Sequence, residues 1–183
     1  LSRNGFLITL IFIVLLLYFM YRTKRSKIEN VLIELIFPFC ALIMVVFPFL
    51  LEGEMLEEVN ALFAGRIKYS LYYLSYEPLK LFGIREIPLP YDTFVIDSSY
   101  VYILFKLGIV AFVAYFIAML LLVHSLVKNN RIFELSVVLA LTIGGVNETY
   151  LANQSYKNLI MLFMGYMLYS CALPIYKLFA KKV

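Results

Sequence analysis

Apolar runs of bilayer length decide what this chain can fold into. The first runs for about 17 uncharged residues over 5–21, and further apolar segments cover 31–51, 99–127, 132–146 and 158–176. A spanning helix needs roughly 20 residues at 1.5 Å per residue. The fourth segment, about 15 residues or 22 Å, is the shortest. Hydrophobic residues make up 63% of the 183 positions and charged residues 15%. Soluble domains carry roughly 45–50% and about 25%. A disordered chain, a coiled coil and a water-soluble enzyme are therefore excluded. The reading is an all-α polytopic membrane protein, a single membrane domain over 1–183 with about five transmembrane helices.

Charge fixes the expected orientation. Arg22, Lys24, Arg25 and Lys27 follow the first run, which is the reverse of a signal peptide. Lys128 and Arg131 join the third and fourth runs, and Lys177, Lys181 and Lys182 follow the fifth. Lysine and arginine gather in cytoplasmic loops, so these ends face the cytoplasm. The N-terminus, the 52–98 segment and the 147–157 loop then face outward. The net charge of +4 reflects this asymmetry and does not call for nucleic acid. Pro38, Pro48 and Pro174 fall inside spans, where kinks are expected. Cys40 and Cys171 have no metal-like spacing and read as packing thiols.

The outer segment over 52–98 is too long and too apolar for a simple connection. Residues 55–77 read as one helix lying at the outer surface, closed by Pro78. Leu56, Val59, Phe63, Ile67, Leu71 and Leu74 share one face. Arg66, Tyr69, Tyr73 and Tyr76 share another. Gly83, Pro88, Pro90 and Asp92 follow in a turn-rich stretch.

No phosphate loop, metal cluster or nucleophile–histidine pair occurs in the sequence. The single histidine, His124, falls at the cytoplasmic end of the third run. The topology instead gathers polar residues at the outer face: Arg66, Asp97, Tyr100, Glu148, Asn153 and Asn158. An arginine fork grips phosphate oxygens in pairs. A carboxylate nearby can take a proton from an attacking hydroxyl. Tyrosine faces suit sugar stacking. Each has a structural counterpart: a lipid-headgroup anchor for Arg66, a helix cap for Asp97, an interfacial belt for the tyrosines. Lys106, about nine residues into the third run, either faces a wet interior or snorkels outward.

A series of short motifs follows in order: Ala64-Gly65-Arg66, Pro78-Leu79-Lys80-Leu81-Phe82-Gly83, Ile96-Asp97-Ser98-Ser99-Tyr100-Val101-Tyr102 and Leu107-Gly108-Ile109, then Glu148, Asn153 and Asn158. Their order and membrane placement, over about residues 61–169, resemble the O-antigen and capsular polysaccharide polymerase (Wzy) family. Ser98 stands where the family usually has Asn. The family has about ten or more spans, and the chain opens on Leu1, so it reads as the C-terminal part of a larger protein.

The resemblance implies a multi-pass enzyme of the bacterial cytoplasmic membrane. Its partners would be undecaprenyl-diphosphate-linked oligosaccharides, membrane lipid, a chain-length regulator and a flippase. A hydroxyl of one lipid-linked repeat unit would attack the anomeric carbon of another, releasing undecaprenyl diphosphate with no metal and no cofactor. Arg66 would hold the leaving diphosphate, Asp97 or Glu148 would act as base, and Arg85 and Lys106 would add positive charge. Tyr69, Tyr73, Tyr100, Asn153 and Asn158 would contact substrate. An O-antigen ligase relative is an alternative, although such ligases place a histidine in the outer loop and 52–98 has none. A flippase-type transporter piece and a purely structural membrane subunit are the non-enzymatic alternatives.

Overall fold

The computed structural model describes residues 3–22, 24–63, 65–76, 78–83, 96–149, 151 and 159–180. Among these the secondary structure is entirely helical. Helix α1 (Arg3–Tyr21) leads to α2 (Lys27–Val45), a 3-10 turn (Phe47–Leu50), α3 (Gly53–Leu62) and α4 (Arg66–Tyr76). Then come α5 (Ser99–Tyr102), which runs into a π turn (Ile103–Leu107), α6 (Ile109–Lys128), α7 (Ile132–Gly144) and α8 (Leu159–Ala180).

Local chemistry sets several of these boundaries. A capping box opens α2: Ser26 Oγ accepts from the Glu29 backbone N–H at 3.1 Å, and the Glu29 carboxylate accepts from the Ser26 N–H at 2.5 Å. Pro38 is carried inside α2, but the α-helix stops at Val45 and Pro48 sits in the 3-10 turn that follows. The end of the expected second span is therefore not α-helical.

Helix α1 packs chiefly on α7, α2 on α6 and α7, and α6 also on α8. Phe37, Met44, Met119, Leu122, Leu135 and Leu139 are among the fully buried residues at the centre. Ser136, Ala140 and Gly144 repeat every fourth residue along α7 and are all buried. Such a stripe lets helices approach closely where no hydrophobic drive favours packing.

Much of the outside is apolar as well. Phe6, Val14, Leu17, Leu32, Phe39, Ile117 and Leu121 project outward from α1, α2 and α6. Helices α2 and α6 are long and apolar enough to cross a membrane, and only 28% and 22% of their apolar windows is buried. The central helix of a soluble protein would bury most of that surface, so lipid is the solvent these faces suit. The 20 residues of α6 match a bilayer core of about 30 Å. Helix α7 is a shorter apolar helix of 13 residues, and α1 and α8 carry apolar stretches over Gly5–Tyr21 and Leu159–Tyr169.

Two expected continuous helices are broken. The surface helix over 55–77 is two helices, because Gly65 takes a φ of +88° that L side chains rarely adopt. Asn60 then joins the pieces: its backbone carbonyl accepts from the Gly65 N–H at 2.8 Å, and its Oδ1 caps the Lys68 N–H at 3.0 Å. The Lys68–Glu57 ion pair adds a second link. Arg66 thus opens α4 instead of lying mid-helix.

The expected third span over 99–127 is interrupted at Gly108, whose φ is +96°. The stretch 80–83 crosses the break. Lys80 and Leu81 carbonyls accept from the Ile109 and Val110 N–H groups at 3.1 and 3.2 Å. These are donors of the first turn of α6, which have no partner inside their own helix. A Cβ on Gly83 would lie 2.3 Å from the Lys106 carbonyl oxygen, and one on Gly108 would lie 2.3 Å from the Gly83 nitrogen. Lys106 therefore sits at this crossing, not deep within a continuous span.

Candidate functional site

Helix α4 lies over the 3-10 turn and the end of α2, and also touches α5. It presses Ile67, Ser70 and Tyr73 inward, one residue every third position, and all three are buried. Arg66, at its start, reaches the residue just before the next helix. Arg66 Nη2 lies 3.2 Å from Asp97 Oδ2, with about a fifth of the arginine side chain and 29% of the aspartate side chain exposed. Asp97 does not cap α5: the cap residue is Ser98, and no side chain closes that helix end.

Ser99 ties this corner to the loop after α7. Its backbone N–H donates to the Gly145 and Glu148 carbonyls at 2.8 and 3.2 Å. Its hydroxyl donates to the Glu148 carbonyl at 2.6 Å and accepts from the Leu151 N–H at 3.0 Å. Gly145 leaves room for Leu151, whose side chain would come within 2.8 Å of any added Cβ. Tyr100 donates to the Thr142 carbonyl at 2.8 Å, a second tie to α7. Together these bonds bring Glu148, half-buried, to the neighbourhood of Asp97.

The electrostatics follow from that placement. Burial pushes the Asp97 carboxyl above its ordinary range, the Arg66 cation pulls it back, and the Glu148 charge adds to the rise. Burial likewise raises the Tyr73 phenol, with smaller contributions from Tyr72 and Asp97. Arg66, Tyr69, Asp97 and Ser98 line a cavity of about 10 Å³. That is room for roughly one water molecule. Ser98 Oγ is buried with no hydrogen-bond partner among the described residues.

The predicted residues divide accordingly. Arg66, Asp97 and Glu148 meet at one end of the bundle, with Tyr69 beside them. Tyr73 and Tyr100 are in the core, each 1% exposed, so neither ring is an open stacking face. Tyr73 packs on Phe105 and Tyr100 on Phe37. Lys106 is at the Gly83–Gly108 crossing. Arg85, Asn153 and Asn158 lie outside the described residues, as do Pro88, Pro90 and Asp92. His124 is at the other end, its Nδ1 3.0 Å from Glu34 Oε1. Among the described residues no group of His, Cys, Asp and Glu could hold a metal ion.

Sequence reasoning passed over Ser99 and Asn60. Ser99 lies within the Ile96–Tyr102 motif, but only its partners across the fold reveal its task. Compared with family models, curated proteins and solved structures, the chain shows no match.

Proposed function

We propose that this chain belongs to a lipid-linked oligosaccharide polymerase of the bacterial cytoplasmic membrane. In this reading the chain spans five times, with the N-terminus, the 52–98 segment and Glu148 outside. The observation that carries the reading is the Arg66–Asp97 pair with Glu148 beside it. This set lies past the Gly144 end of α7, whereas Arg25, Lys128 and Arg131 gather at the opposite end. Read with the positive-inside rule, this separation supports an outward-facing site with a cation and two carboxylates, the side on which a polymerase of this kind would join its repeat units.

The chemistry balances without an added group. An acceptor sugar hydroxyl forms a bond to the anomeric carbon of the donor chain. The bond from that carbon to the diphosphate oxygen breaks, and the carrier diphosphate leaves with the electron pair. The hydroxyl proton passes to a carboxylate, Asp97 or Glu148. The water-sized cavity holds no sugar, so the diphosphate competes with Asp97 for the Arg66 fork. Phosphate oxygens match that fork in pairs. Once displaced, Asp97 is available as a base, and its raised proton affinity suits that role.

The test uses Asp97→Asn and Glu148→Gln in the native membrane. At least one variant should abolish polymer while lipid-linked single repeats accumulate. General-base help is worth roughly 100- to 10,000-fold. Normal expression with long polymer from both variants would remove the enzymatic assignment.

One observation favours a transporter reading: the helical break over 103–108 resembles the discontinuous helices that line transport sites. Here, however, Lys80 and Leu81 carbonyls already occupy two N–H groups of the first turn of α6. A substrate anion would have to displace them.

A further inference from the structure

At the far end of α6 from the Gly108 break, a cleft of about 910 Å³ opens between α6 and α8. Leu122 and Leu126 form one wall and Leu162 and Phe163 the other, and Arg131 lies among its lining residues. We infer that this cleft binds a phospholipid with an anionic headgroup, its phosphate on Arg131 and its acyl chains between the two walls.

Charge argues for the headgroup. Arg131 Nη1 lies 3.1 Å from Glu134 Oε1, and its Nη2 donates to the Tyr166 hydroxyl at 3.3 Å. Its guanidinium carbon stands 5.8 Å from the Tyr166 ring centre. These contacts hold the fork against the cleft while about half of the side chain stays exposed. A guanidinium carries five N–H donors, more than these partners use. Arg25 is pinned to the same turn, donating to Asn130 Oδ1 at 2.8 Å and to the Val127 carbonyl at 3.3 Å. Lys128 is exposed beside them. Glu134 also lines the cleft and balances Arg131 there, so the positive excess that favours a lipid with net negative charge comes from Arg25 and Lys128 on the adjoining turn.

Packing argues for the chains. Helix α8 leans on α6, which is long and apolar enough to cross a membrane. Arg131–Tyr166 is a polar link from α8 to the start of α7. The apolar walls beside it, Leu122, Leu126, Leu162 and Phe163, suit acyl chains. The volume is within the roughly 300–1,000 Å³ of small-molecule sites. This site is separate from the proposed chemistry, because Arg131 precedes α7 and Glu148 follows it.

The experiment reads binding, so it stands apart from any test of polymerisation. The chain is purified in mild detergent and titrated with phosphatidylglycerol and with phosphatidylcholine, and retained lipid is counted by native mass spectrometry. One phosphatidylglycerol should be retained about tenfold more tightly than phosphatidylcholine, and Arg131→Gln should erase that preference. Leu126→Trp fills the cleft without touching the charges and should weaken both lipids. Circular dichroism and a thermal melt report whether each variant is folded. Equal retention of the two lipids by the unmodified chain overturns the proposal. So does phosphatidylglycerol binding that survives Leu126→Trp in folded protein.

Discussion

Arg66 Nη2 stands 3.2 Å from Asp97 Oδ2, joining the first residue of α4 to the residue that precedes the cap of α5. Both side chains are partly exposed, so the pair contributes only about 0–1 kcal/mol to folding. Its consequence is chemical: a fork that suits diphosphate is held against a carboxylate whose proton affinity is raised.

Arg66→Lys keeps the charge and loses the planar fork. Under the polymerase reading it should lower polymerisation about 30- to 1000-fold, equivalent to roughly 2–4 kcal/mol of transition-state stabilisation. Its melting temperature should hardly move. Polymer ladders and a thermal melt measure the two effects. Wild-type chain lengths would make Arg66 a surface anchor.

The raised Asp97 carboxyl has a defined pH signature. The folded chain holds this proton more tightly than the unfolded chain. Stability from Asp97 is therefore present at low pH and lost as pH rises from the ordinary value of about 3.9 through the raised one. If the carboxylate is the base, the acid limb of activity lies above that ordinary value. Glu148→Gln removes a raising charge and should shift the limb to lower pH, while Arg66→Gln should shift it upward. A pH–rate profile with the reverse order would show that Asp97 does not control the limb.

Ser99 and Ser98 are neighbours with opposite expectations. Ser99→Ala removes a donor to the Glu148 carbonyl and an acceptor for the buried Leu151 N–H. That should cost about 1–3 kcal/mol and loosen Glu148. Ser98→Ala removes a buried hydroxyl without a hydrogen-bond partner among the described residues and should be neutral or stabilising. Unfolding midpoints of the two variants, compared side by side, decide this.

At the Gly83–Gly108 crossing, either glycine replaced by alanine places a Cβ 2.3 Å from backbone at a positive φ. Each substitution should cost more than about 2 kcal/mol. Gly53→Ala is the control: its φ is +54° with no atom within 4 Å of the new Cβ. It should lose only roughly 1–2 kcal/mol, the strain of the left-handed backbone alone. Equal losses at all three positions would mean that the crossing contributes nothing beyond backbone strain.

For topology, single cysteines at Ser75 and Asn129, both exposed, are introduced into a background lacking Cys40 and Cys171. An impermeant thiol reagent should label position 75 in intact cells and leave position 129 silent. The opposite pattern overturns the proposed orientation.

Much of the helical plan is legible residue by residue. Apolar runs and their periodicity depend on neighbours three and four positions away, and the runs at 5–21, 132–146 and 158–176 correspond to α1, α7 and α8. The meeting of Asp97 with Glu148 follows from reading two antiparallel neighbours off the same pattern. What the pattern does not contain is where a helix stops for a distant reason. Gly65 turns because the Asn60 carbonyl accepts its N–H and Asn60 Oδ1 caps α4. Gly108 turns because carbonyls from 80–81 satisfy the start of α6 while Gly83 leaves space for the crossing. A glycine in an apolar run looks the same whether or not a partner chain segment crosses it. Tyr73 and Tyr100 show the same limit: an amphipathic ring suits an interface or a core equally, and only the arrival of Phe105, Phe37 and the Thr142 carbonyl buried them. Sequence alone determined the apolar runs, their charge asymmetry and the residues available to the site. Tertiary structure decided the breaks, the buried rings and the Arg66–Asp97 contact, because each depends on groups that the chain brings together only when packed.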